Sequence, residues 1–219
     1  DGVVFETESQ YSIFWGMIGR EYHPEIPDFE YRIKGQTLVQ IYDKYFSEDS
    51  VFAHIKGYTD VKSEQDKITT RLNEFEKNMS YPYITGFEDF IKDLKQNGVK
   101  CAVVTSSNVQ KMQNVYRQHP EFKGYFDRVL TSEDFAKSKP DPDCYVRGAA
   151  CFDAKPEECV GLEDSFNGLK AVRAAGAFTL GLSTTNSKES IELFSDYVIA
   201  DYTGFTFADL VKVVEENKK

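Results

Sequence analysis

No run in this chain approaches the ~20 apolar residues of a membrane-spanning helix, so no membrane partner is expected. Histidine is scarce, with only three in 219 residues. His23, His54 and His119 stand apart from every polar cluster described below, which argues against a Ser-His-Asp hydrolase. The chain has no G-x-S-x-G, no P-loop and no G-x-G-x-x-G. Its four cysteines, Cys101, Cys144, Cys151 and Cys159, form no CxxC pair and no zinc-ligand spacing. They read as reduced thiols packed as small hydrophobes, which points to a cytoplasmic protein. Basic charge is also short: 26 Lys and Arg face 36 Asp and Glu, a net charge of −10. That field repels a nucleic-acid backbone, so no nucleic acid is expected as partner. A phosphorylated ligand meets the same repulsion and needs a local Lys/Arg cluster or a divalent cation. Asp1 to Glu6 lacks the basic region of a signal peptide.

What remains is an ordinary globular composition, 41% hydrophobic and 28% charged. A chain of this length makes one or two domains and buries about 70% of its unfolded surface without disulfide or metal staples. From Thr7 to about Ser80 every periodic segment reads helix. Thr7 and Gln10 have the spacing of a capping box. Tyr11, Phe14, Trp15 and Ile18 then recur at helical spacing, as do Leu38, Ile41, Tyr42 and Tyr45. Ile68, Leu72, Phe75 and Met79 mark a third helix.

After Tyr81-Pro82 the pattern changes. Phe87, Phe90, Ile91 and Leu94 make one helix face, stopped by Gly98. Strands are expected at Val99–Val104, Arg128–Leu130, Cys159–Leu162, Phe178–Leu182 and Tyr197–Ala200. Helices are expected at Val109–Gln118, Asp143–Cys151 and Leu169–Ala175, with a last one facing inward through Phe207, Leu210, Val211 and Val214. Strands alternating with helices, and reading as unbroken apolar runs, predict a doubly wound parallel α/β sheet. Ligands bind such sheets beyond the carboxyl ends of the strands.

Four polar clusters lie at such positions. Asp1-Gly2-Val3 opens the chain, and Thr105-Ser106-Ser107 follows one strand. Ser138-Lys139-Pro140-Asp141-Pro142-Asp143 follows another, and Glu163-Asp164-Ser165 ends a third. Asp1, Glu163 and Asp164 are hard oxygen donors suited to Mg²⁺. Thr105 offers a hydroxyl with amides at a helix start behind it, and Lys139 offers a point charge for phosphate. Alone, each cluster reads as a cap, a turn or a solvated loop. Together they make a phosphoryl-transfer site.

The ordered set resembles the haloacid dehalogenase superfamily, specifically its β-phosphoglucomutase-like phosphatases and mutases, over essentially the whole length. Asp1-Gly2-Val3-Val4-Phe5-Glu6-Thr7-Glu8 is similar to the tail of the first motif, and Val103-Val104-Thr105-Ser106 to the second. Lys139-Pro140-Asp141-Pro142-Asp143 is similar to the third, and Gly161-Leu162-Glu163-Asp164-Ser165 with Gly168 to the fourth. The resemblance implies a Rossmann-like core of residues 1–7 plus 81–219 and an inserted helical cap of residues 8–80. It implies that Asp1 is the general acid/base, with its carbonyl on Mg²⁺. Thr105 and the Ser106 amide would hold phosphoryl oxygens, Lys139 would bridge phosphate and nucleophile, and Glu163 and Asp164 would hold the metal. The nucleophilic Asp is expected two positions upstream of Asp1, on a strand that precedes it.

The cap departs from the mutase pattern. Tyr11 stands where the mutase has a His that assists transfer. Lys34-Gly35 is present, but Leu38 replaces the Arg that grips a second phosphate. Arg71 loosely matches another cap cation. The expected function is therefore a Mg²⁺-dependent phosphatase for a small phosphorylated metabolite, with a sugar phosphate as its class. The alternatives are β-phosphoglucomutase or a related mutase, a pyrophosphatase, or a non-catalytic binding protein on the same fold. The sequence does not set an oligomeric state, and a monomer is compatible with it.

Overall fold

In the computed structural model, residues 1–48, 50, 55 and 57–217 are described; His54 lies outside them. The chain forms two compact units, Glu8–Ser80 and Asp1–Thr7 with Tyr81–Lys219.

The first unit is helical: α1 Glu8–Tyr22, α2 Phe29–Arg32, α3 Leu38–Tyr45 and α4 Val61–Asn78. Its core gathers Phe14, Ile18, Phe29, Phe46 and Ile68, each almost wholly buried. A true capping box opens α3, where the Thr37 hydroxyl accepts from the Gln40 N–H and the Gln40 side chain accepts from the Thr37 N–H. Thr7 gives its hydroxyl to Asp1, and the Gln10 amide pairs with the main chain of Ser80.

The second unit holds α5 Phe87–Gln96, β1 Ala102–Val104, α6 Val109–Gln118, α7 Phe122–Tyr125, β2 Arg128–Leu130, α8 Asp143–Ala150, β3 Val160–Glu163, α9 Phe166–Ala175, β4 Phe178–Leu182, α10 Lys188–Ile191, β5 Tyr197–Ile199 and α11 Phe207–Asn217. Among the described residues the strand ladders are parallel, and one isolated antiparallel bridge joins Phe5 and Tyr83. β1 pairs with β2, and β3, β4 and β5 pair in that order, so the described ladders form two pieces. One side-chain device opens a pair in each piece. Just before β2, Asp127 accepts the Cys101 N–H at 2.9 Å and returns its own N–H to the Cys101 carbonyl at 2.8 Å. Just before β5, Asp196 does the same with Thr179, at 2.8 Å both ways. Each carboxylate lengthens a short ladder by one rung.

β4 is buried along its whole length, and Leu180 and Leu182 pack with Phe90, Ile91 and Leu210 in the core. β1 starts later than the apolar run suggests. Gly98 turns with φ 73°, and the Val99 N–H goes back to Leu94 O at 3.0 Å, so Val99 finishes α5 instead of starting a strand. α9 starts earlier, at Phe166, because Ser165 caps it by accepting the Gly168 N–H. On α11 Phe207, Leu210 and Val214 pack on the core as expected, joined by the buried Val213, while Val211 is 37% exposed.

Candidate active site

The carboxyl ends of β1 and β3 meet at one lysine. Lys139 lies in the loop before α8, its ammonium 3.5 Å from the Val104 carbonyl that ends β1 and paired with the Glu163 carboxylate that ends β3. The Lys139 side chain is 15% exposed and that of Glu163 is 5% exposed. Tyr145, on the first turns of α8, donates its hydroxyl to the same Glu163 oxygen at 2.6 Å and sets its ring 5.3 Å from the ammonium. The other Glu163 oxygen accepts from the Asp164 N–H and the Ser165 hydroxyl, both at 3.2 Å. Burial opposes charge on all three groups. Yet Lys139 and Glu163 hold each other charged, Lys139 above its ordinary pKa and Glu163 below. Burial, reinforced by the Glu163 charge, pushes the Tyr145 phenol far up, so it stays a donor.

Asp164 is buried against the chain's first residues. Its Oδ2 accepts the Thr185 hydroxyl at 2.5 Å, and its carbonyl accepts the Asn186 amide at 2.9 Å. The neighbouring Thr184 donates to the Gly2 carbonyl at 2.5 Å. The Asp1 carboxylate accepts the Thr7 hydroxyl on Oδ1 and the Lys111 ammonium on Oδ2, each at 2.5 Å. The Thr105 N–H continues the β1 ladder to Leu130 O at 3.0 Å, and its hydroxyl accepts the Ser107 N–H at 3.1 Å, turning the chain into α6. Ser106 is exposed at that turn.

The structure therefore brings Asp1, Thr105, Ser106, Lys139, Glu163 and Asp164 to the strand ends of one unit. It does not gather Asp1, Glu163 and Asp164 into a metal cage; among the described residues no group of three or more His, Cys, Asp or Glu is placed for one. Glu163 accepts from protein donors on both oxygens, Lys139 and Tyr145 on one and the Asp164 N–H and Ser165 hydroxyl on the other, and so anchors those groups. Asp164 remains suited to Mg²⁺, which takes one or two carboxylates and keeps its waters.

The residues expected in a cap, Tyr11, Lys34, Gly35 and Arg71, are engaged within the helical unit. Tyr11 gives its hydroxyl to the buried Glu76 at 2.7 Å and tilts its ring on Phe75. Arg71 pairs with Glu21 at 2.8 Å. Together they border a charged surface hollow of about 740 Å³ that also takes in Lys62, Lys67 and Asp66. Lys34 sits 5.2 Å over the Tyr31 ring, and Gly35 turns the chain with φ 72°.

Sequence reasoning missed Lys111, Tyr145 and the Thr184–Asn186 loop. The loop carried the signal used elsewhere, since polar residues follow an apolar strand. Lys111 carried a fainter one, a cation in the first turn of a helix where the dipole disfavours it.

Residues 1–176 match the model of the haloacid dehalogenase-like hydrolases. The chain belongs to that family. It is 35% identical over 94 residues to protein CbbY of Cereibacter sphaeroides, across 42% of this chain and 40% of that protein. It is 26% identical over 194 residues to β-phosphoglucomutase of Bacillus subtilis strain 168, across 83% of this chain and 80% of that enzyme. In three dimensions it superposes on a family IA, variant 3 hydrolase of Entamoeba histolytica with a TM-score of 0.80 at 16% identity, covering 98% of this chain and 96% of the other. That likeness gives the fold, a Rossmann-like α/β core. No helix among the described residues is long and apolar enough to cross a membrane.

Proposed function

We propose that this haloacid dehalogenase-like hydrolase is a phosphatase for a small phosphorylated metabolite, with a sugar phosphate as the substrate class. The observation that carries the reading is the Lys139 cluster. One buried ammonium, fixed between the end of β1 and the end of β3, stands beside the Thr105 turn, which supports binding of a phosphoryl group there.

In this reading an Asp carboxylate two positions before Asp1 attacks phosphorus. The phosphorus–oxygen bond to the alcohol breaks, its electron pair stays on the leaving oxygen, and that oxygen takes the proton of Asp1. Water then attacks the aspartyl phosphate and gives a proton back to Asp1. The bond between phosphorus and the Asp oxygen breaks, returning the carboxylate and releasing inorganic phosphate. Splitting the displacement this way replaces one difficult step by two easier ones. Asp164 would hold Mg²⁺, which would supply the charge that lets carboxylate and phosphate approach. Lys139 neutralises the phosphoryl oxygens, and Glu163 with Tyr145 keeps it in place. Thr105 and the Ser106 amide orient those oxygens.

The similarity to β-phosphoglucomutase supports a second reading, transfer between two positions of a sugar. Tyr11 and Leu38 in place of the mutase His and Arg favour hydrolysis, because holding a second phosphate requires that grip. The full-length protein with Mg²⁺ should release phosphate from 4-nitrophenyl phosphate. A complete lack of turnover on that ester and on a panel of sugar phosphates would favour a binding protein instead.

A further inference from the structure

We infer that Lys111 is a positioning residue for Asp1, fixing which carboxyl oxygen carries the proton; this rests on the acid–base reading of Asp1 above. Lys111 lies in the first turn of α6, where its N–H is held by the Asn108 side chain at 2.8 Å. A cation there faces the positive end of the helix dipole, and its side chain is only 9% exposed. Burial of an ammonium at that place needs a compensating anion. The anion is Asp1, 110 positions away in sequence and 2.5 Å away in space. The chain tolerates an unfavourable helix position in order to set a charge on one carboxyl oxygen.

Lys111 donates to Oδ2 and Thr7 donates to Oδ1. An ammonium only donates, so Oδ2 stays an acceptor throughout. A threonine hydroxyl both donates and accepts, so the Thr7 partner tolerates Oδ1 with or without a proton. Oδ1 is therefore the oxygen that gives its proton to the leaving alcohol and later takes one from water. The Asp1 side chain is 29% exposed.

The alternative is that the ion pair only staples α6 to the first residues. The two roles differ in how they depend on the leaving group. A 4-nitrophenolate departs without a proton, whereas a sugar hydroxyl needs one. We expect Lys111→Met in the full-length protein to lower kcat/KM, which reports steps up to release of the alcohol, by at least ~30-fold on a sugar phosphate and by less than ~3-fold on 4-nitrophenyl phosphate, within the span general acids contribute. Lys111→Arg should restore most of the loss. Equal losses on both esters, or none on either, would overturn the proposal while leaving the phosphatase reading intact. A wild-type protein inactive on both would remove the reading and the proposal together. If Lys111→Met does not fold, the same ratio is read on Lys111→Arg and Lys111→Gln, and a ratio unchanged from wild type in both counts against the proposal.

Discussion

Gly2 sits directly against the carboxylate of Asp164: a Cβ placed on Gly2 would lie 1.9 Å from Oδ2 and 2.3 Å from Cγ. Gly2 also holds φ 64°, a conformation side chains disfavour. Any other residue here would be strained at that φ and would push the Asp164 carboxylate aside. The close approach seats the first residues beside the end of β3, with Asp1 and Asp164 on neighbouring backbones.

Gly2→Ala should therefore act as an active-site substitution although it adds one methyl group. The methyl must displace Asp164, so turnover should fall by at least ~100-fold, the size expected on losing one electrostatic stabiliser. Steady-state rates, with circular dichroism to verify folding, would check this. A folded Gly2→Ala protein of near-normal activity would show that Asp164 is not needed where it lies.

Asp164 and Glu163 should separate in their dependence on Mg²⁺. Asp164→Asn is expected to lower turnover by at least ~100-fold and to raise the Mg²⁺ concentration for half-maximal rate. Glu163→Gln removes the anchor of Lys139 without touching the proposed metal ligand. It should weaken phosphate binding and lower Tm, since breaking a buried pair costs about 3–5 kcal/mol, yet leave the Mg²⁺ midpoint unchanged. Titrating both variants with Mg²⁺ decides; a Glu163→Gln midpoint that shifts as far as that of Asp164→Asn would put Glu163 on the metal as well.

Hydrolysis should outrun mutase turnover. With β-glucose 1-phosphate and a catalytic amount of the 1,6-bisphosphate, free phosphate should form faster than glucose 6-phosphate. Rapid glucose 6-phosphate with little phosphate would mean that Tyr11 and Leu38 do the work expected of the mutase His and Arg.

Acid should loosen the β1–β2 pair through Asp127. The Cys101 N–H, and then Lys100, hold the Asp127 carboxyl below its ordinary pKa. A carboxyl depressed in the folded state stabilises above its unfolded pKa of roughly 4, and that contribution disappears as pH falls through the lower folded value. Asp127→Ala should lower Tm at pH 7 by a few degrees, as a loss of about 1–2 kcal/mol does in a chain this long. The gap from wild type should close toward pH 3. A gap that is constant with pH would mean the carboxylate charge contributes nothing.

Local rules carried most of the secondary structure. The apolar stripe from Tyr11 to Ile18, the β4 run and Gly98 each dictate a helix, a strand or a stop through nearest neighbours in sequence. The strand-end clusters at Thr105, Lys139 and Glu163-Asp164 were legible for a related reason: a parallel sheet always exposes the chain at the carboxyl ends of its strands. Finer boundaries escaped where a main-chain bond runs backward, as from Val99 to Leu94, or where a side chain finds a remote partner, as Thr7 finds Asp1. What those charged groups do to one another was decided only by the tertiary structure. The sequence offers Glu163 and Asp164 as an equivalent pair, and one backbone step points them into different surroundings. Glu163 meets Lys139 and Tyr145, whereas Asp164 meets Thr185 and the bare α-carbon of Gly2. The Lys111–Asp1 contact has no local cause at all, because an ion pair spanning the chain exists only once helix α6 and the first residues are packed side by side.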